Sequence, residues 1–262
     1  MVRYQAWIWV NFLLIIITKP ATCETEKFHI LLSSDCPEKL TGEPCFTLYQ
    51  YMSGEYRKYT SDPSEIVLEF QPGQHYLSDS SFNTFASNHI SFTMKSVNFT
   101  EIYCNDRRNI IPYHINHIQN VYINGINFRQ CNLQIESVMN FTLEKSNFSQ
   151  TQYYNALYIR HSSATIKRCS FKGNHRIPLH VDDTSISIDL SSFLSNRQSV
   201  TVENGHNKNV TIFNSYFSSN THPSYYSSYN PEAGALSTFT SYLELHNTTF
   251  INNHGRQGGA DW

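Results

Sequence analysis

Charge is scarce in this chain. Of its 262 residues only 15 % are Asp, Glu, Lys or Arg, and the formal net charge is −2 with no basic run. The sequence therefore carries no electrostatic footprint for nucleic acid. Long apolar runs are scarce as well: after the first two dozen residues no segment is long and apolar enough to cross a bilayer as a helix. No nucleophile elbow, phosphate loop or zinc-protease helix motif occurs either. In their place stand Ser, Thr, Asn, Tyr and Phe, which suit pleated surfaces and polar turns better than helices.

One short phrase recurs: apolar-x-apolar, then Phe five positions after the second apolar residue. The cleanest copies are Ala164-Thr-Ile166 with Phe171, Ile186-Ser-Ile188 with Phe193, Val210-Thr-Ile212 with Phe217, and Leu243-Glu-Leu245 with Phe250. In these four, Asn follows Phe by three, giving Asn174, Asn196, Asn220 and Asn253. Earlier copies, Phe92-Thr-Met94 with Phe99, Val121-Tyr-Ile123 with Phe128 and Phe141-Thr-Leu143 with Phe148, keep the Phe and lack the Asn. Seven copies at intervals of 20 to 33 residues are the signature of a repeat architecture.

Each repeat supplies a third strand-like piece after the Asn, such as Leu157-Tyr-Ile159, Leu179-His-Val181 and Val200-Thr-Val202. Alternation places the apolar residues on one face of each piece. Three short strands per coil describe an all-β fold, a right-handed parallel β-helix of about eight to ten coils with a short N-terminal cap. In that fold Phe stacks on Phe, and the Asn amides form an internal ladder. A leucine-rich repeat shares the period, but its Leu spacing is missing here.

Residues 1–23 read as a secretory signal, with Arg3, an apolar stretch from Ala6 to Ile17 and Ala21-Thr-Cys23 at the cleavage site. Residues 24–60 read as the capping segment, with a helical spacing over Phe46 to Met52, and residues 61–262 as the β-helix. Cys36 and Cys45 close a small loop and are expected to pair, while Cys104 with Cys131 fits a bridge between adjacent coils. Sequons at Asn98, Asn140, Asn147, Asn209 and Asn247 agree with a secreted, extracellular glycoprotein. The sequence ends at Trp262, directly after Gly258-Gly-Ala-Asp, where a third strand is due, so a longer gene product and a membrane anchor in an unseen C-terminal extension fit the pattern.

The Phe-x-x-Asn units, with Gly258-Gly-Ala260 and the degenerate Ala233-Gly-Ala-Leu236, resemble the repeats of chlamydial polymorphic outer-membrane proteins. Residues 61 to 262 are also similar to the pectin-lyase-like β-helix domains of large extracellular animal proteins. That resemblance implies architecture more strongly than activity, because the superfamily holds lyases, hydrolases and adhesins.

Candidate chemistry is thin. His180, Asp182, Asp183 and Asp189, with Glu203 and His206 one coil later, are the nearest thing to clustered acids. Asp182-Asp183 and Gly205-His206 faintly resemble hydrolase motifs of the superfamily, but the remaining acids and the basic motif are missing. His114-x-x-His117 has metal-like spacing without a second ligand pair. Tyr153, Tyr154, Tyr225, Tyr226 and Tyr229 follow the Phe strands in loops on one side of the solenoid, where rings can stack on sugar or meet a protein. The expectation is a non-catalytic structural, adhesive or ligand-binding module without a cofactor, whose partner is an extracellular glycan or protein. The alternative is a lyase or hydrolase acting on acidic polysaccharide.

Overall fold

The computed structural model describes residues 27–33, 45–58, 63–77, 84–87, 89–104, 112–198, 200–203, 208–221, 233–239 and 242–255. They wind into a parallel β-solenoid of about six turns, fewer than the eight to ten expected. The shortfall lies at the two ends of the repeat. The step from Val210 to Leu243 consumes 33 residues for one turn, and the described residues before Tyr113 contribute only one strand, Thr84–Ser87, to the seven-stranded sheet.

Each regular turn is three strands and three corners. One turn runs through strand Asn140–Glu144, strand Asn147–Ser149 and strand Leu157–Arg160. The first two kinds of strand build a sixteen-stranded sheet that folds around two sides of the solenoid; the third kind builds a separate seven-stranded sheet. Successive turns pair in parallel and in register. Ile123, Leu143, Ile166, Ile188, Ile212 and Leu245 form one interior column, and Ile115, Ile135, Ile159, Val181 and Val202 form another.

A left-handed residue sits at every corner of this turn: Lys145 (φ 48°), Gln150 (φ 58°) and His161 (φ 49°). The next turn repeats the device with Arg168, Gly173 and Asp183. Such a residue breaks the in-out alternation, so the side chain after it points inward; in these two turns it is Ser146, Thr151 or Ser162, then Cys169, Asn174 or Thr184. The strand ladders lapse at a corner, and the backbone N–H there must find another partner. The inward side chain of the following turn supplies it. Val138 N donates to Ser162 Oγ (3.1 Å), Ser162 N to Thr184 Oγ1 (3.1 Å), and Cys169 N to Ser191 Oγ (3.1 Å).

The remaining corner, the one after the Phe strand, carries the asparagines. Asn174 Nδ2 donates to Asn196 Oδ1, Asn196 Nδ2 to Asn220 Oδ1 and Asn220 Nδ2 to Asn253 Oδ1, each at 2.9 Å. The second proton of each amide goes to the Phe carbonyl of the preceding turn, at Phe148, Phe171 and Phe193. Thr151 continues this file one turn earlier, its N–H donating to Asn174 Oδ1 and its hydroxyl to the Cys131 carbonyl. The Phe148 repeat thus fills the Asn position with Thr151, and the Phe128 repeat fills it with buried Cys131.

Phe128, Phe148, Phe171, Phe193, Phe217 and Phe250 form the expected single file, with centroids 4.7 to 5.2 Å apart and planes within 17° of parallel. Since carbon contact occurs at about 3.5–4.0 Å, rings spaced this far are offset-stacked. Phe99 does not belong to the file. The register slips between Lys95 and Thr100, so Ile102 pairs with Phe128 while Phe99 is 65 % exposed.

At the N-terminal end, strand Lys27–Leu32 pairs in parallel with strand Glu65–Phe70, and Cys45–Phe46 pairs with it in turn. Helix Leu48–Met52 follows, opened by a Thr47–Gln50 capping box. Tyr51, buried, donates its hydroxyl to the Phe85 carbonyl and ties the helix to the solenoid. Cys104 and Cys131, whose connectivity the sequence leaves open, form a disulfide between turns. Cys45 is also disulfide-bonded; Cys36, its expected partner, lies outside the described residues. No helix among the described residues is long and apolar enough to cross a membrane.

Candidate functional site

The outer face of the seven-stranded sheet gathers the titratable side chains that the interior excludes. Its strands place residues two apart on the same side, and in-register pairing stacks equivalents from turn to turn. One outward column reads His114, Gln134, Tyr158, His180; the next reads Asn116, Glu136, Arg160, Asp182, Glu203.

Contacts run along and across these columns. Arg160 lies 3.9 Å from Glu136 and its Nε 3.2 Å from Asp182 Oδ2, as ion pairs without hydrogen-bond alignment at Nε. Tyr158 donates its hydroxyl to the same Asp182 oxygen at 3.1 Å. Burial, reinforced by that carboxylate, pushes the Tyr158 hydroxyl up to about 12. His180 packs against the Tyr158 ring at 4.9 Å, meets Asn155 Nδ2 through Nδ1 at 3.1 Å, and turns Nε2 towards Glu203 at 3.5 Å. Burial lowers the His180 pKa, against the pull of Glu203 and Asp182.

Among the acids singled out in sequence, His180, Asp182 and Glu203 come together here, and Asp183 occupies the adjoining corner, 3.9 Å from His161 and 3.6 Å from Lys208. Asp189 lies apart on the sixteen-stranded sheet, where its carboxylate accepts from Asn214 Nδ2. His206 lies outside the described residues. His114 is on the patterned face, its pKa lowered by burial, while His117 forms a corner with φ 54°. No group of three or more His, Cys, Asp or Glu among the described residues is arranged to hold a metal ion.

Tyr153 and Tyr154 are 58 % and 45 % exposed. Asn155, which follows them directly in the chain, is bonded to His180, so the tyrosine pair adjoins the charged face along the backbone. Tyr225, Tyr226 and Tyr229 lie outside the described residues. Sequence reasoning missed Glu136, Tyr158 and Arg160, although each stands at the same offset in its strand as a residue that was noticed.

This chain matches no family model, curated protein or solved structure, so its chemistry rests on its own residues. Asp182 is engaged by both Arg160 and Tyr158, and His180 by Asn155 and Glu203. This arrangement fixes the positions of the polar groups on the face through their contacts with one another.

Proposed function

We propose that the chain is a secreted, right-handed, pectin-lyase-like β-solenoid that acts without catalysis, as a binding module with the outer face of its seven-stranded sheet as the contact surface. The handedness follows from the near-universal preference for right-handed crossovers between parallel strands. Secretion is supported by the leader-like N-terminus and by the Cys104–Cys131 disulfide. The observation that carries the binding reading is the exposed Tyr153–Tyr154 pair bordering the Asn155–His180–Glu203 network. Flat rings beside oriented polar groups suit an extracellular glycan or protein. Cell-surface or glycan-array binding is expected to fall at least about tenfold, or 1.4 kcal/mol, when both tyrosines become Ala. Unchanged binding removes the reading.

A second reading draws on the in-register pairing of Asp182 with Glu203, which sets the two residues one strand spacing apart, about 4.7–4.9 Å. Retaining glycosidases hold their paired carboxylates at about 5–5.5 Å. Under this reading purified protein cleaves polygalacturonate, with or without calcium, and loses the activity in Asp182→Asn and Glu203→Gln. Absence of cleavage leaves the binding module.

A further inference from the structure

The asparagines of this chain fall into two chemically distinct sets. Asn174, Asn196 and Asn220 are at most 1 % exposed, and each spends both protons of its side-chain amide on hydrogen bonds. None of them stands in an Asn-x-Ser/Thr sequence. The five asparagines that do, Asn98, Asn140, Asn147, Asn209 and Asn247, are all exposed. Asn140, Asn147 and Asn247 donate one amide proton, to Asn120, Asn127 and Asn214 of the preceding turn, and keep the other for solvent. One hydrogen bond orients the amide; one N–H remains open for substitution.

The five positions also share a side. Four lie in strands of the sixteen-stranded sheet and Asn247 in the corner between two of them; none lies in the seven-stranded sheet. At the end of strand Leu179–Asp182, the triplets Asp182-Asp183-Thr184 and Asp183-Thr184-Ser185 have the hydroxyl residue in place but aspartate where asparagine would complete the signal.

We propose that Asn98, Asn140, Asn147, Asn209 and Asn247 carry N-linked oligosaccharides, which clothe the outer side of the sixteen-stranded sheet and leave the face of the seven-stranded sheet bare. Each transfer joins Nδ2 to the anomeric carbon of a lipid-diphosphate-linked oligosaccharide and breaks the bond from that carbon to the phosphate oxygen. The lipid diphosphate and the amide proton leave. The ladder asparagines are excluded because a sugar there replaces a proton already committed and sits in a packed interior.

The inference rests on the reading of the chain as secreted. The full chain, expressed with its own N-terminus in a eukaryotic secretory host, is recovered from the medium, deglycosylated enzymatically in heavy-oxygen water and mapped by mass spectrometry for Asn-to-Asp conversion. Conversion above half at three or more of the five positions supports the proposal; conversion below half at three or more overturns it. A chain absent from the medium fails the reading of secretion, whereas a secreted chain with unmodified sequons fails only this inference. Arg176→Thr, which completes a signal at buried Asn174, is expected to cut the secreted yield at least fivefold, with recovery when oligosaccharide transfer is inhibited. Normal secretion with sugar on Asn174 would refute the geometric basis.

Discussion

The side-chain amide of Asn196 reaches the carbonyl of Phe171 at 3.0 Å, joining the polar file of one corner to the aromatic file of the preceding turn. Its other proton goes to Asn220, and its oxygen accepts both the backbone and the side-chain N–H of Asn174. Asn196→Ala strands the Phe171 carbonyl, the Asn174 backbone N–H and one Asn174 amide proton in a dry interior. At about 1 kcal/mol or more for each group, the loss should reach at least about 3 kcal/mol in denaturant unfolding. A loss below about 1 kcal/mol would mean that the ladder is ornamental. Asn196→Asp should be worse still, because it sets an acceptor against two acceptors.

The aromatic file makes a paired prediction. Phe193 is 1 % exposed and stacked on both Phe171 and Phe217, so Phe193→Ala should cost about 3–5 kcal/mol through lost transfer energy and a cavity. Phe99 belongs to the same sequence phrase but lies outside the file, and Phe99→Ala should change stability by no more than about 0.5 kcal/mol. Equal losses at the two positions would restore Phe99 to the interior and refute the register slip.

Much of the fold was legible because its strongest signals are rare side chains at fixed offsets. Phe and Asn stand out of a polar background, and the register aligns them turn on turn. The two hydroxyl corners were not legible: Ser146, Cys169, Ser191 and Ser215 share one column, yet serine is everywhere in this sequence and cysteine hides the pattern. Thr151 was invisible as a member of the Asn file for the same reason, since its hydroxyl and N–H take over only part of the amide's bonding. The slip near Lys95 was illegible because an irregularity inside a strand leaves no compositional mark. The face bearing His180, Asp182 and Glu203 was half visible. Their equivalence across turns is written in the apolar pairs beside them, whereas the partnership of Tyr158 and Arg160 with Asp182 is a matter of side-chain reach.

Imidazoles held low by burial make stability depend on pH: His75 is buried, and His180 and His114 are half-buried. Burial lowers the pKa of His180, and also that of His75, which is 2 % exposed, packs edge-on against Phe70 and meets the Gln71 carbonyl. In both, the unfolded chain takes up a proton near pH 6.5 while the folded state resists it. Stability is therefore full above that point, declines as pH falls from about 6.5 through the folded pKa values, and has no further imidazole dependence below them. Melting temperatures between pH 7.5 and pH 5 should fall more steeply for the native chain than for His75→Gln or His180→Gln. Parallel slopes would place the proton linkage elsewhere.

Cys169 tests whether a corner column is read by hydrogen bonding or by shape. It is free and 2 % exposed, and burial pushes its thiol up to about 12. Its neighbours in the column are Ser146 and Ser191, and its sulfur reaches the carbonyls of Leu143 and Lys167 at 3.5 and 3.3 Å. Cys169→Ser supplies the hydroxyl that the rest of the column uses and should alter stability by less than about 1 kcal/mol, in either direction. Cys169→Val keeps the volume but removes an acceptor beside the Ser146 backbone, a contact that acts on the thiol. It should cost about 1–3 kcal/mol more than the serine variant. If valine proved the more stable of the two, the column would be a matter of packing alone. The native thiol should stay unreactive towards alkylating reagents until the solenoid unfolds, because a group that is both protonated and enclosed offers no thiolate to attack with.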